Sequence, residues 1–277
     1  MMQREKGKIL TAVAVVLGCA MMVAGCADRT ESDSSTKKED DRPRIVVGCD
    51  DYTPFNYMDL DGNIVGIDVE LAREAFDRMG YQTEFTFINW EEKKKLLKSG
   101  EIDCVWSSFS MDGREEDYRW AGPYMKSRQV VAVTPDSPIY TIDDLEGKIV
   151  AVQSTTKPEE IFRDIEQNDG VPKLRKVISV QNRDLLFIFL SKGYVDAISA
   201  HDTSIDQFMS DFDMKYRVLA EPLQEVHLGV AFDRDDTRGL DQKLSETLEQ
   251  MRQDGTIREI AGKYLQNADS YLGDENE

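Results

Sequence analysis

The amino-acid sequence predicts an α/β protein built from two lobes. Short apolar strands alternate with helices in two successive βαβαβ units, which pair their strands in parallel through right-handed crossovers. The chain leaves the first unit, builds the second, and returns through an apolar strand at 226–232. Two connections, near 124–131 and 223–228, therefore join the lobes, and we expect them to act as a hinge beside a ligand cleft.

In the first unit, glycines and an aromatic loop separate the elements. The helix predicted at 68–79 carries apolar residues at helical spacing and ends at Gly80. An Asp-Gly pair at 61–62 predicts a hairpin turn. In chain order, the predicted elements are a strand at 45–48, a hairpin at 56–66, a helix at 68–79, a strand at 83–87, a helix at 90–98 and a strand at 102–106.

The second unit repeats this alternation after a strand at 130–134. Its predicted elements are a strand at 148–153, a helix at 154–165, a strand at 174–180, a helix at 183–190, a strand at 195–200, a helix at 204–211 and a strand at 216–219. After the returning strand, helices at 238–253 and 256–265 complete the fold. This organisation assigns 43–127 and 228–266 to lobe 1, 128–227 to lobe 2, and 267–277 to a polar tail.

Residues 1–26 have the pattern of a lipoprotein signal peptide. A basic segment precedes an apolar run at 9–24, and the sequence Val-Ala-Gly-Cys that follows resembles a bacterial lipobox. We expect Cys26 to carry the lipid, because cleavage before Cys19 would leave a hydrophobic segment on the mature end. A transmembrane anchor is the alternative, but the run is short for a span and leaves the small residues before the cysteine unexplained.

Residues 27–42 are polar, with no large apolar side chain, so we expect a disordered tether. The chain contains 34 Lys and Arg against 53 Asp and Glu, a net charge of −19. This acidic balance argues against nucleic-acid binding and against electrostatic docking on anionic lipid. The lipid anchor would instead hold the protein on the extracytoplasmic face of the cell membrane.

Hydrogen-bonding side chains follow the buried strand at 102–106. Ligands of open α/β sheets bind beyond the carboxyl ends of the strands, and a guanidinium group matches a carboxylate in shape and charge. Arg114 is therefore a candidate carboxylate anchor, although it could instead pair with one of the two glutamates that follow it. The hydroxyl groups of this stretch belong to Ser107, Ser108 and Ser110.

The cysteines and histidines show no metal-binding pattern. Cys49 and Cys104 lie at or near predicted strand ends, as small buried thiols do, and His201 and His227 are far apart in the sequence. An acidic run at 59–70 has EF-hand-like spacing but lacks the glycine that the loop needs at its sixth position. We expect no metal and no cofactor.

Several short motifs occur in a distinctive order across 44–265. They are IVVG with YTPF, DG with GID, a tryptophan with SGEID, the serine-rich stretch with its arginine, WAGPY, DLEGK, VAVQSTT and the segment 193–196. Together they resemble the extracytoplasmic solute-binding proteins of amino-acid ABC transporters, the family 3 group. The resemblance implies a two-lobed, type II periplasmic-binding-protein fold.

The resemblance also implies a set of binding residues. Arg114 would hold the α-carboxylate of the ligand, and Tyr52 would pack on the ligand. Thr155 and Thr156 would close over the carboxylate with backbone N–H groups at a helix start, although a simple N-cap accounts for the same residues. The expected ligand-binding residues are Asp50, Tyr52, Trp106, Ser107, Ser108, Ser110, Arg114, Thr155, Thr156, His201 and Asp202.

One departure from the family concerns the opposite pole of the ligand. The family's carboxylate that receives the α-ammonium aligns with His201, which supplies no negative charge. Either Asp202 or Asp50 supplies the carboxylate and the ligand is an amino acid, or the ligand lacks an ammonium group. Protonation of an unperturbed imidazole would make binding sensitive to pH near 6.5, the ordinary histidine pKa.

The leading hypothesis is a monomeric, lipid-anchored receptor, with no enzymatic activity, that delivers a small solute to ABC transporter permease subunits. An amino acid is the favoured solute. A dehydratase on the same fold, acting on arogenate or prephenate, is an alternative in which Asp50, Glu225 or His201 would serve as acid or base. A ligand-sensing ectodomain is a further alternative and would need a separate membrane partner.

Overall fold

The computed structural model describes residues 41–164 and 170–272. Three predictions fall outside these residues: lipidation at Cys26, the competing site Cys19, and most of the tether. Within the described residues, no helix is long and apolar enough to cross a membrane.

The described chain forms a nine-stranded sheet and a two-stranded hairpin, flanked by helices. The strands are β1 (Arg44–Cys49), β2 (Tyr57–Met58), β3 (Ile64–Val65), β4 (Gln82–Phe87), β5 (Cys104–Ser110), β6 (Arg119–Val133), β7 (Ile149–Gln153), β8 (Lys176–Val180), β9 (Ala197–His201), β10 (Arg217–Val218) and β11 (Gln224–Phe232). The helices are α1 (Ile67–Arg78), α2 (Lys93–Ser99), α3 (Lys157–Arg163), α4 (Asp184–Ser191), α5 (Asp202–Asp211), α6 (Leu240–Gln253) and α7 (Thr256–Gly262). Short 3₁₀ turns cover Trp90–Glu92, Asp143–Leu145 and Ala268–Tyr271.

The large sheet has the strand order β4-β1-β5-β11-β6-β9-β7-β8, with β10 also paired to β6. The three strands at each end, β4-β1-β5 and β9-β7-β8, pair in parallel. The central strands β11 and β6 pair antiparallel with each other and with their neighbours. This arrangement confirms the predicted α/β fold with two lobes of mainly parallel strands.

The two connections between the lobes are strands rather than loops. β6 and β11 pair from Gln129 opposite Gln224 to Arg119 opposite Phe232, so one hydrogen-bonded ribbon runs through both lobes. The sequence predicted only 130–134 of β6, because the residues before it lack a continuous apolar run. A paired ribbon limits how far the lobes can separate without breaking backbone hydrogen bonds.

Each lobe has an apolar cluster on both faces of its part of the sheet. In lobe 1, α1, α6 and α7 cover one face, and Trp90 and Phe109 pack on the other. In lobe 2, one cluster centres on Phe187 and the other on Phe162. Burial of apolar surface on both faces explains why the parallel strands read as continuous hydrophobic runs.

Lobe 1 extends further along the chain than the sequence predicted. Val226, Ala268 and Leu272 are buried in its larger cluster. The prediction of a polar tail from 267 is therefore wrong for 268–272, where a 3₁₀ turn packs its small and apolar side chains against the core. Asp269 and Ser270 between them face solvent, so the sequence showed no apolar run that would predict this contact.

Helix α1 begins at a glycine that tolerates no side chain. Gly66 has a φ of 129°, and a Cβ atom there would lie 2.3 Å from the backbone oxygen of Phe55. Its neighbours Ile67 and Asp68 donate backbone hydrogen bonds to the oxygens of Pro54 and Phe55. The glycine therefore lets the loop after β1 pass directly against the start of α1.

We expect Gly66→Ala to lower the free energy of unfolding by more than about 2 kcal/mol, because a strained φ and a steric clash coincide. Chemical denaturation measures the change. Gly262→Ala is the matched control, since that glycine ends α7 and a Cβ atom added there would meet no neighbouring atom within 4 Å. An equal loss in both variants would show that the close approach at Gly66 is not required.

Candidate ligand-binding site

The two lobes meet around a cavity of about 40 Å³. A space of this size takes only a few water-sized groups, so a larger ligand needs the lobes to separate or side chains to move. Eight of the eleven binding residues predicted from the sequence line it. They are Asp50, Tyr52, Ser107, Ser108, Ser110, Arg114, Thr156 and His201.

Direct side-chain contacts hold the lobes in a closed arrangement. Gln153 Nε2 of lobe 2 donates to Asp50 Oδ2 of lobe 1 at 2.7 Å. Lys93 Nζ of lobe 1 donates to Thr155 Oγ1 of lobe 2 at 2.8 Å. Burial between the lobes, together with the charge of Arg114, lowers the pKa of Lys93 to about 7.

The buried carboxylate of Asp68 organises the lobe 1 side of the cavity. Asp68 is 1% exposed and accepts hydrogen bonds from Ser108 N at 2.6 Å and from Tyr124 Oη at 2.8 Å. Asn56 Nδ2 donates to it at 3.3 Å and also donates to Ser107 Oγ at 3.2 Å. Burial raises the pKa of Asp68 to about 7, while the three donors act in the opposite direction.

This network changes the roles expected for two of the serines. The Ser108 amide is occupied by Asp68, and Ser108 has a φ of 42° where the pairing of β5 with β11 shifts register. Ser107 Oγ accepts a hydrogen bond from the backbone amide of Asp50 at 3.0 Å. Both serines line the cavity, but these atoms position the strand end and the first loop.

Arg114 lies in the cavity wall with its side chain 10% exposed. Its Nη2 atom is 3.1 Å from Glu160 Oε2 of lobe 2, and its Nη1 atom donates to Ser110 O at 3.2 Å. The guanidinium carbon lies 5.3 Å from the centre of the Phe109 ring. The sequence left open a pairing of Arg114 with Glu115 or Glu116. Neither is among the described contacts of Arg114, and Glu115 accepts a hydrogen bond from Gly113 N instead.

His201 is buried and neutral. Its Nδ1 atom lies 2.8 Å from Ser127 Oγ and its Nε2 atom 2.9 Å from Gln129 Nε2. Burial, and then the charge of Arg183, lowers the pKa of His201 to about 3. The pH sensitivity near 6.5 considered in the sequence is therefore not expected from this imidazole.

Arg183 covers one face of the Tyr52 ring, the ring expected to pack on the ligand. Its guanidinium carbon lies 3.5 Å from the centre of the Tyr52 ring, and its Nη2 donates to Asp51 O at 2.8 Å. The ring of His201 meets Tyr52 edge-on at 5.6 Å. Tyr52 therefore supports a cation from lobe 2 in this arrangement.

Three predicted residues lie outside the cavity lining. Trp106 packs in the lobe 1 core against Phe76 and Tyr124, because side chains alternate between the faces of β5. Thr155 is exposed, and its amide donates to Glu159 Oε2 at 2.6 Å. The core position of Trp106 and the occupied backbone amide of Thr155 correct the roles expected for these two residues.

Asp202 is the third. Its carboxylate lies 2.7 Å from Arg128 Nη2 and accepts a hydrogen bond from Tyr271 Oη at 3.2 Å. Asp202 is therefore bound by residues outside the cavity lining. It begins α5 directly after β9, and the change from strand to helix turns it away from the face that carries His201. Of the two carboxylates proposed for an ammonium group, only Asp50 lines the cavity. Burial raises the pKa of Asp50.

Sequence reasoning missed several residues of the cavity. Gln153 ends β7 and Arg183 immediately precedes α4, so both obey the carboxyl-end rule that selected the serines. Gln129 lies within β6, where no sequence signal marked it. The missed polar lining residues that carry the arguments below are Gln129, Gln153, Lys157 and Arg183.

The described residues contain no cluster of three or more His, Cys, Asp or Glu side chains that could hold a metal ion. Cys49 and Cys104 are free and buried in that part of the chain. Glu225, one of the acids considered for an enzyme, lies in a separate groove with Lys126 and His227.

Comparison with known proteins now identifies the architecture. The family model for bacterial extracellular solute-binding proteins, family 3, matches residues 45–267. The chain belongs to this family. The match covers both lobes and both hinge strands of this family 3 protein, and it confirms the resemblance found in its motifs.

Relatives of this family 3 protein bind amino acids. The arginine-binding extracellular protein ArtP of Bacillus subtilis (strain 168) is 27% identical over 252 residues, covering 88% of this chain and 96% of ArtP. The structure of an ancestral arginine-binding protein bound to arginine has a TM-score of 0.72 at 26% identity, covering 81% of this chain and 99% of that one. An ancestral amino-acid-binding protein, a precursor of cyclohexadienyl dehydratase, has a TM-score of 0.70 at 26% identity, covering 80% and 94%.

We expect Asp68→Asn to change how stability depends on pH. The folded carboxyl keeps its proton up to a pKa of about 7, whereas an unfolded aspartate releases it near the ordinary value of 3.8. Between these values the folded state binds more protons, so rising pH favours unfolding of the wild type, by up to about 1.4 kcal/mol per pH unit from this group. Urea titrations from pH 4.5 to 7.5 measure the difference, and parallel curves for wild type and variant would contradict the assignment.

Proposed function

We propose that this protein is a lipid-anchored, extracytoplasmic receptor that binds a small carboxylate-bearing solute, an amino acid or a close relative of one, between its lobes. The observation that carries the proposal is the buried guanidinium of Arg114, which lines the interlobe cavity and already binds a carboxylate, that of Glu160 on the opposite lobe. A group that binds a carboxylate of the protein across the cleft is suited to the carboxylate of a ligand.

Binding and closure are coupled in this proposal. With the lobes apart, Glu160 leaves Arg114, and an incoming carboxylate takes its place. Closure then brings Gln153 onto Asp50 and Thr155 onto Lys93, and it excludes water from the cavity. Removal of water strengthens the remaining charge interactions and so favours the closed, ligand-bound state.

Membership of the family supports transport as the purpose of binding. Amino acids are the ligands of the relatives compared above, which supports a carboxylate ligand for this chain. Delivery to the permease subunits of an ABC transporter would require both lobes, because only the closed form presents them together. We propose that the protein acts as a monomer tethered through lipid on Cys26, so that it stays near the membrane.

An enzymatic function has less support. A dehydratase needs a positioned acid or base in contact with its substrate. Among the candidates, His201 is neutral and bonded to Ser127 and Gln129, and Glu225 lies in another groove. Asp50 lines the cavity, but its carboxylate is bound by Gln153. We therefore propose binding without chemistry.

We expect Arg114→Ala to reduce affinity for the best ligand of an amino-acid screen by about 2–5 kcal/mol, because the ligand's carboxylate loses its cation in a desolvated site. Isothermal titration calorimetry measures the loss, and Arg114→Lys should restore only part of it, since the forked geometry is absent. Arg234→Ala is the matched control, with a side chain 62% exposed. Unchanged affinity in Arg114→Ala would remove the basis of the proposal.

We expect Cys26→Ala to abolish incorporation of labelled palmitate and to release the protein from the membrane fraction, because the thiol that carries the lipid is gone. The circular dichroism spectrum of the folded domain should stay the same, since lobe 1 begins after the tether. Cys19→Ala is the matched control and should keep the label. Loss of label in the control alone would move the site to Cys19.

A further inference from the structure

Two cavity residues carry buried polar atoms without a protein partner among the described residues. Arg183 is 8% exposed, yet its Nη1 atom donates no hydrogen bond to the described chain. Gln129 is 2% exposed, and its Oε1 atom is likewise unpaired. Both side chains line the cavity. A buried guanidinium donor and a buried amide acceptor are costly unless a ligand supplies their partners.

Arg183 is held in one position by groups from both lobes. It precedes α4 in lobe 2, stacks on Tyr52 of lobe 1, and donates through Nη2 to Asp51 O. Nη2 is engaged by Asp51 O, so Nη1 is the buried guanidinium nitrogen without a partner among the described residues. In the closed arrangement, a guanidinium fixed in this way holds a defined position for binding an oxygen anion.

The charges around the cavity favour an anionic ligand. Three cationic side chains line it, those of Arg114, Lys157 and Arg183, against the one carboxylate of Asp50. Glu160 pairs with Arg114 and Lys157 from the cleft edge. Among the described residues no carboxylate forms an ion pair with Arg183, whose charge acts at longer range against the rise in the pKa of Asp50 and Asp51. A basic ligand would place its second positive charge against Arg183 in a desolvated space, which is unfavourable.

The pole at His201 is polar but uncharged. Both nitrogens of the neutral imidazole already bind Ser127 and Gln129, so the hydrogen-bond acceptor left at this pole is the unpaired Gln129 Oε1, which carries no negative charge. Such a pole can accept a hydrogen bond from a hydroxyl or amino group, and it does not favour a ligand group that carries a full positive charge. The preference for a negatively charged ligand therefore comes from the two guanidinium groups, those of Arg114 and Arg183.

Resting on the proposed function, we infer that the ligand is a small dicarboxylate: Arg114 binds its first carboxylate and Arg183 its second. Acidic amino acids and their counterparts without an amino group share this chemistry. Arg183 is then the residue that determines specificity, because it distinguishes a terminal carboxylate from the amide or cation of an otherwise similar ligand. Tyr52 acts as a positioning residue that holds the second guanidinium.

Calorimetry on the full-length chain in mild detergent tests this inference. The dicarboxylate probes are L-glutamate, L-aspartate, glutarate and succinate, and the comparison probes are L-glutamine, L-asparagine, L-arginine and L-histidine. We expect at least one dicarboxylate to bind 100-fold more tightly than its amide or basic counterpart. Tighter binding of glutamate and aspartate than of glutarate and succinate would identify acidic amino acids, and the reverse order would identify ligands without an amino group.

Arg183→Gln should remove the preference, reducing the ratio of dicarboxylate to amide affinity at least tenfold, while Arg183→Lys keeps part of it. The exposed Arg175→Gln in the same lobe is the matched control and should keep the ratio. If Arg183→Gln unfolds, the ratio in Arg183→Lys decides, because lysine keeps the charge but loses the fork. An unchanged ratio in a folded Arg183 variant overturns the inference.

Failure of this inference can be separated from failure of the proposed function. If L-glutamine or L-arginine binds as tightly as L-glutamate, and Arg114→Ala abolishes that binding, the receptor stands and the dicarboxylate assignment is wrong. If none of the eight probes binds the wild type, the dicarboxylate assignment is also wrong. If, in addition, Arg114→Ala leaves affinity for the best ligand of a wider amino-acid screen unchanged, the proposed function fails as well.

Discussion

The carboxylate of Asp68 is the constraint on which the lobe 1 half of the site depends. It accepts hydrogen bonds from three separate parts of the chain: Asn56 in the loop after β1, Ser108 in β5 and Tyr124 in β6. A buried carboxyl group without such donors would be strongly unfavourable, so these elements are held together at one point. The bend at Ser108 and the position of the first loop follow from it, and with them the place of Asp50 in the cavity.

Closure of the lobes depends on charge as much as on shape. Lys93, Arg114 and Arg183 are all buried or nearly so in the closed arrangement, and removing a cation from water is costly. The protein offsets this cost with Thr155, Glu160 and the Tyr52 ring, each lying on the lobe opposite its partner. All three contacts join opposite lobes, so separation of the lobes about the β6 and β11 strands would break them.

The two poles of the cavity differ in how strictly they are defined. At one pole, Arg114 binds the Glu160 carboxylate and the Ser110 backbone oxygen, so the orientation of its guanidinium is fixed and its charge is neutralised. At the other pole, a neutral His201 and an unpaired Gln129 Oε1 leave the charge requirement to Arg183. The cavity of this chain is therefore lined by a second guanidinium, that of Arg183, in addition to Arg114.

The sequence by itself determined the alternation of strands and helices, the division into two lobes, and the candidate role of Arg114. These follow from local hydrophobic periodicity, from glycines that end helices, and from the rule that ligands lie beyond strand carboxyl ends. Only the tertiary structure decided which side chains enter the cavity. Trp106 and Asp202 sit beside residues that line it, yet strand alternation and the start of a helix turn them elsewhere. Arg183 reaches the site only because the lobes close, and a contact between positions 52 and 183 leaves no signal in the local pattern of either segment.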